Sequence, residues 1–285
     1  MEMVLQVSGL NKSYGDFALQ NVSFSVPEGC ITGLIGANGA GKSTTLRAIL
    51  GLTQCDGGDV QAFGLHAVTD AQQMKDRIGV VLDHGCFYEE LTAQEMKSVI
   101  APAYSTWCEA DFQRYMERFS LSPKQRIQTM STGMKMKFAL ALALSHKAEL
   151  LIMDEPTSGL DPLVRRQFLD VLRDFMESGG RGVLFSTHIT SDLDKIADVL
   201  VMIDHGHILF QEEKDALMEQ YRIVKGDRAL LNDDLRRLFV VLSESAFGFS
   251  GLTSHVDEMV AQIPGLVVER PTIEDIMLAH LEGGE

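Results

Sequence analysis

Positive charge is in short supply in this chain: 25 Lys and Arg stand against 40 Asp and Glu, for a net charge of -15. Wrapping a nucleic acid or lying on an anionic bilayer draws on excess Lys and Arg, so neither is expected, and any polyanion must meet a local positive pocket. Cysteine is scarce as well. Cys30, Cys55, Cys86 and Cys108 form no C-x-x-C pair, which argues against zinc or a disulfide framework and for reduced thiols in the cytosol. No run of about 18 apolar residues occurs, since even Phe138 to Leu144 stops at Ser145-His146-Lys147, and the chain is not expected to span a membrane. Met1-Glu2-Met3-Val4 lacks a basic flank, so no signal peptide is expected. There is no sustained repeat and no low-complexity segment. What remains is 285 residues, enough for one large α/β domain with an appendage.

Gly36-Ala37-Asn38-Gly39-Ala40-Gly41-Lys42-Ser43-Thr44 matches G-x-x-x-x-G-K-[ST] at every position. Glycines let backbone N–H groups curl round phosphate oxygens, Lys42 adds a point charge, and Ser43 is left for Mg²⁺. Ile31 to Ile35 reads as a buried strand before the loop and Thr44 to Leu50 as a helix after it, whose N-terminal dipole would face the phosphates.

The alternating stretches Leu5 to Leu10 and Val22 to Val26 predict an antiparallel layer ahead of the loop. Tyr14 lies between them, as a packed aromatic or as a platform for a flat base. After the strand Ile78 to Leu82, the character changes to helix. Thr92-Ala93-Gln94-Glu95 is a capping box, and Phe112, Tyr115, Met116 and Phe119 form one apolar stripe. A helical insertion is expected over about residues 88 to 146, closing with Met130-Ser131-Thr132-Gly133-Met134 and the helix former run Lys135 to Leu144.

Glu149 to Glu155 is an apolar strand ending in two carboxylates, at the strand end where ligands sit in parallel sheets. Asp161 caps the next helix and Pro162 suits its first position. Val183 to Ser186 carries Thr187-His188 at its tip, and Val199 to Phe210 reads as a hairpin. Strand and helix alternate through residue 203, which predicts a mostly parallel sheet. The nucleotide-binding domain is set at residues 1–220. Residues 221–285, with fragments at Leu238 to Leu242, Val256 to Ile263 and Gly265 to Val268 and a last helix opening at Pro271, form a small α+β accessory domain.

Phosphoryl transfer to water needs phosphate charge balanced, a metal held and the attacking water aligned. Lys42 and the loop amides answer the first need. Ser43 with Asp154 would hold Mg²⁺, Glu155 is the candidate base, and His188 a candidate γ-phosphate sensor.

In their order and spacing these residues resemble the ATP-binding subunits of ABC transporters over roughly residues 1–215, which implies a P-loop NTPase (RecA-like) core. Gly36 to Thr44 is similar to the Walker A loop, Leu150 to Asp154 to Walker B, Glu155 to the catalytic glutamate, and His188 to the switch histidine. The resemblance makes Tyr14 the aromatic stacking on adenine. Ser158 to Asp161 is similar to the D-loop, which puts Asp161 among the nucleotide-contacting residues. It implies ATP and Mg²⁺ as cofactors and a homodimer or heterodimer sandwiching two ATP molecules. Ser131 and Gly133 would then reach the ATP held by the other subunit. A separate transmembrane permease subunit and a place on the cytoplasmic face of the cell membrane follow, with Phe87-Tyr88-Glu89-Glu90 either near that subunit or simply a loop leading into a helix. The tail from Pro271 to Leu281 and Asp83 look most like ABC-2-type exporter ATPases.

Two departures stand out. The family's Leu-Ser-Gly-Gly-Gln signature is here Met130-Ser131-Thr132-Gly133-Met134, and the glutamine expected after Ile78 to Leu82 is Asp83. The other reading is a soluble ATP-driven dimerisation switch or a regulatory ABC protein without transport; a single nucleotide domain, no heptad run and the acidic balance count against the switch. If Asp83 links the ATP site to the helical insertion through Mg²⁺ or water, Asp83→Ala will alter ATP hydrolysis or its coupling to transport. Assays of both in the variant check this, and two unchanged values reject the role.

Overall fold

The structure, a computed structural model, describes residues 2–82, 87–263 and 265–282. Asp83 lies outside the described residues. The chain divides into two compact units, Met1–His188 with Val201–Gln211, and Ile189–Leu200 with Glu212–Glu285.

The first unit opens with β1 (Met3–Tyr14) and β2 (Phe17–Pro27), followed by the short buried β3 (Ile31–Ile35) and α1 (Lys42–Ile49). Next come β4 (Gly57–Ala62), β5 (Leu65–His66), α2 (Ala71–Asp76) and β6 (Ile78–Val81). The antiparallel sheet has the order β2-β1-β4-β5, with Val7 opposite Phe24 on one side and Val60 on the other. Its inward residues, among them Leu5, Leu10, Val22 and Val26, pack with Leu46 and Ile49 of α1 in one core. Each such side chain contributes about 1.5–3 kcal/mol by leaving water.

The insertion consists of α3 (Ala93–Ile100), α4 (Glu109–Arg118) and α5 (Thr132–Leu144). The expected capping box forms: Glu95 N–H donates to Thr92 Oγ1 at 3.2 Å and Thr92 N–H to Glu95 Oε2 at 2.8 Å. Phe112, Met116 and Phe119 are buried, and Phe112 meets Phe138 of α5 edge-on at 6.4 Å between ring centroids. From Phe138 to Leu144 every residue of α5 is buried, as an apolar helix between insertion and sheet must be.

After the insertion the chain re-enters the sheet at β7 (Leu150–Asp154), then runs through α6 (Pro162–Met176), β8 (Gly182–Thr187), α7 (Thr190–Ile196), β9 (Val199–Asp204) and β10 (His207–Glu213). The six strands lie in the order β10-β9-β3-β8-β7-β6, with β3, β8, β7 and β6 parallel. Strands β3, β7 and β8 are buried at every residue, hence their unbroken apolar runs. Ile35 pairs with Thr187 and Asp154 with Ser186, so the loop after β3, Glu155 and His188 leave the sheet at one edge. Strands β6, β7 and β8 lie to one side of β3 and β9 and β10 to the other, a change of direction of the kind at which such sheets bind ligands.

In the second unit α8 (Lys214–Gln220), β11 (Arg222–Gly226), α9 (Asp233–Arg236), β12 (Val241–Glu244), β13 (Phe249–Thr253), α10 (Val256–Gln262), β14 (Val267–Glu269) and α11 (Ile273–Glu282) follow in turn. Four strands make an antiparallel sheet β12-β13-β11-β14 over Val224, Leu235, Phe249 and Met259. Strands β11 and β13 were not anticipated, because their side chains alternate too weakly to stand out. The helix expected at Pro271 is α11, and it packs on α7, where Ile273 N–H reaches Asp194 Oδ1 at 3.4 Å.

One buried titratable group stands apart from the site in the first unit. His146, just past α5, stacks on Tyr104 at 3.7 Å, and among the described residues neither ring nitrogen has a partner in good hydrogen-bond geometry. Burial lowers its pKa from 6.5 to about 4. As pH falls through 6.5 the unfolded chain takes up the proton first, so stability that is complete above 6.5 drains away until about 4. The expected loss is up to about 1.4 kcal/mol per pH unit in that interval. Urea unfolding of wild type and His146→Phe across it will show this component only in the wild type.

Candidate functional site

The loop after β3 is shaped by two close approaches. A Cβ on Gly36 would lie 2.2 Å from the Ile203 carbonyl oxygen, so a larger residue there would force the loop off β9. Gly41 has φ of +116° and its Cβ position is closed by Leu19 and Phe17 at 2.9 and 3.0 Å. As N-cap of α1 it makes no side-chain hydrogen bond, and the first turn holds no acidic residue. The N–H groups there are left for an anion, which the helix dipole favours.

A cavity of about 580 Å³ lies over this loop, within the range of roughly 300–1,000 Å³ usual for small-molecule sites. Asn38, Gly39, Gly41, Lys42, Ser43 and Thr44 line one side, and Glu155, Ser158 and His188 the other. Phe17 supplies an aromatic wall. Gly36 and the buried Ala40 support the loop from behind.

Lys42 is buried, and its Nζ donates to the Gly36 and Ala37 carbonyls at 2.9 and 3.2 Å while lying 3.5 Å from Glu155 Oε1. The other Glu155 oxygen, Oε2, is 2.8 Å from His188 Nδ1 and receives the His188 backbone N–H at 3.4 Å. An ionised carboxylate only accepts, so Nδ1 carries the hydrogen. Ser43 Oγ donates to Asp154 Oδ1 at 3.0 Å. The arrangement offers a cation and free amides for phosphates, a hydroxyl and a carboxylate side by side for an oxygen-seeking ion, and an oriented carboxylate to accept a proton from water.

The ABC transporter family profile matches residues 19–158. Bacitracin transport ATP-binding protein BcrA of Enterococcus faecalis is 31% identical over 212 residues, 73% of this chain and 69% of that protein. Nod factor export ATP-binding protein I of Rhizobium meliloti (strain 1021) is 32% identical over 304 residues, covering 99% of this chain and 89% of its own length. This chain belongs to the ABC transporter ATP-binding proteins. A solved ATP-binding subunit of an ABC transporter superposes with a TM-score of 0.70 at 30% identity, covering 76% of this chain and 92% of that one. The fold is accordingly that of the P-loop NTPases, and the chain is an ABC ATPase that binds ATP.

Not every residue expected at the nucleotide lines the cavity of this ABC ATPase. Tyr14, at the end of β1, is 44% exposed; its hydroxyl donates to Thr53 Oγ1 at 3.0 Å and Lys12 Nζ stands 5.2 Å from its ring centre. Phe17, its cross-strand partner in the β1–β2 hairpin, faces the cavity instead. That residue went unremarked in the sequence, although a second aromatic just past the Gly15-Asp16 turn was the available signal. Ser131 caps α5, accepting the Met134 N–H at 3.3 Å, and Gly133 lies in the same first turn, beside Val164 and Leu160. Asp161 caps α6 by accepting the N–H groups of Leu163 and Val164, both at 3.0 Å. Among the described residues no three His, Cys, Asp or Glu side chains cluster as a metal site. Mg²⁺ fits here all the same, since it is commonly held by one or two protein oxygens plus phosphates, and Ser43 and Asp154 supply that pair.

Replacing Lys42 removes the only lysine or arginine that lines this cavity among the described residues. Lys42→Ala is expected to weaken ATP binding at least about tenfold, the scale of one charge-assisted hydrogen bond. Equilibrium titration with a fluorescent ATP analogue measures it.

Proposed function

We propose that this ABC ATPase binds ATP with Mg²⁺ over Gly36 to Thr44, hydrolyses it at the interface of two nucleotide-binding subunits, and powers export of a substrate through a separate transmembrane subunit at the cytoplasmic face of the cell membrane. The observation that carries this reading is the meeting of Lys42, the Ser43–Asp154 pair and the Glu155–His188 pair around one cavity. Bound Mg²⁺ supplies neutralisation of charge on the β- and γ-phosphates. Ser43 and Asp154 hold it. Lys42 exchanges the Gly36 and Ala37 carbonyls for phosphate oxygens. Glu155 takes the proton of the attacking water, and His188 keeps its Oε2 in place. Catalysis resides in residues 1–220, and residues 221–285, which carry none of these groups, form an accessory domain.

The two-subunit arrangement is supported by what the cavity lacks from its own chain. Ser131 and Gly133 sit at the N-terminus of α5, the end that favours a phosphate, yet neither lines the cavity. Placed against a second subunit, identical or not, they would close that subunit's ATP site. Asp161 and Tyr14 take nucleotide-contacting roles in the same closed state. The membrane partner is supported by an apolar hollow of about 180 Å³, lined by Val80, Leu82, Phe87, Ile100 and Tyr104 against α5, with Tyr88 beside it 63% exposed. One or two apolar side chains of a short amphipathic segment of the transmembrane subunit would fill such a hollow. No helix among the described residues is long and apolar enough to cross a membrane. Export as the direction is supported by the relative named for Nod factor export.

Glu155→Gln keeps the shape of the side chain and removes the base. It is expected to bind ATP while turnover falls by about 10²- to 10⁴-fold, and to accumulate an ATP-dependent dimer seen by light scattering. Undiminished turnover would take the base role from Glu155.

A further inference from the structure

One polar group behind the cavity is not used by the chemistry described so far. Ser186, on β8, is fully buried, and its hydroxyl sits between both carboxylate residues of the neighbouring strand. Its Oγ donates to Asp154 Oδ1 at 2.6 Å, closer than Ser43 at 3.0 Å, and accepts the Glu155 backbone N–H at 3.1 Å. That N–H also reaches the Ser186 carbonyl at 3.1 Å.

Two consequences follow. Oδ1 of Asp154 is filled by two hydroxyl donors, which fixes rotation of the carboxylate and leaves Oδ2 as the oxygen turned over to other partners. Glu155 has φ of +46°, a left-handed conformation that a residue with a side chain adopts only under restraint. The shared hydrogen from its N–H to both oxygens of Ser186 is such a restraint. A serine here is not dictated by the strand. A buried parallel strand accepts Val or Ile more readily, and β8 otherwise reads Gly-Val-Leu-Phe before it.

We propose that Ser186 is a positioning residue of the ATPase site: through its hydroxyl it orients Asp154 toward the Mg²⁺ and anchors the backbone of Glu155. This rests on the proposed roles of those two carboxylates. Because Glu155 keeps the Ser186 carbonyl when the hydroxyl is lost, the larger effect falls on Asp154 and hence on the response to Mg²⁺.

The test uses the full chain with Ser186→Ala, Ser186→Val and Ser186→Thr; Val and Thr share a shape and differ by the hydroxyl. In Ala and Val the Mg²⁺ concentration for half-maximal ATPase is expected to rise about tenfold and kcat to fall about tenfold, as for other outer partners of metal ligands. Thr restores both. Binding of a fluorescent ATP analogue without Mg²⁺, and the melting midpoint, stay alike in Val and Thr. Wild-type Mg²⁺ dependence in Ala, or equal impairment of Thr and Val, overturns the proposal. If the wild-type chain itself fails to hydrolyse ATP, the proposed function falls instead, and the Mg²⁺-dependent gain in analogue binding still decides the role of Ser186.

Discussion

A buried carboxylate at the end of β7 ties the molecule's working parts together. Asp154 is 5% exposed, and leaving such a charge without partners would cost several kcal/mol. It is satisfied by Ser43 at the head of α1 and Ser186 on β8, so one oxygen joins the loop after β3 to two further strands. The parallel register makes this possible. With Asp154 level with Ser186 and Ile35 level with Thr187, every functional strand end reaches the same edge.

The charges beyond Asp154 are arranged as a chain. Lys42 faces one oxygen of Glu155 and His188 the other, while the two main-chain carbonyls Gly36 and Ala37 hold the ammonium group. In an acidic protein the local positive elements facing a polyanion are Lys42 and the N-terminal amides of α1, set beside the carboxylates Asp154 and Glu155. Glu155 bends into a left-handed conformation there, a local cost of about 1 kcal/mol or more, offset by its shared hydrogen bond to Ser186.

Much of this was legible from residue order. Gly36 to Thr44, the Thr92–Glu95 capping box, the Asp161-Pro162 helix start and the stripe of Phe112, Tyr115, Met116 and Phe119, in which Tyr115 alone stays half-buried, are local codes, each written within a few residues and read by the backbone beside it. Other features were not. Phe17 lines the cavity while Tyr14, its direct partner across the β1–β2 hairpin, does not, a difference that no local pattern announces. Strands β11 and β13 came into view only with the sheet they complete.

The sequence by itself determined the phosphate loop, the paired carboxylates at a strand end and the alternation of strand and helix through residue 203, since glycine freedom, capping and hydrophobic period act over a few residues. Only the tertiary structure decided which hydroxyl supports Asp154 and which nitrogen faces Glu155. Those partners lie 31 to 33 residues away along the chain and meet through strand register, which no short stretch of sequence encodes.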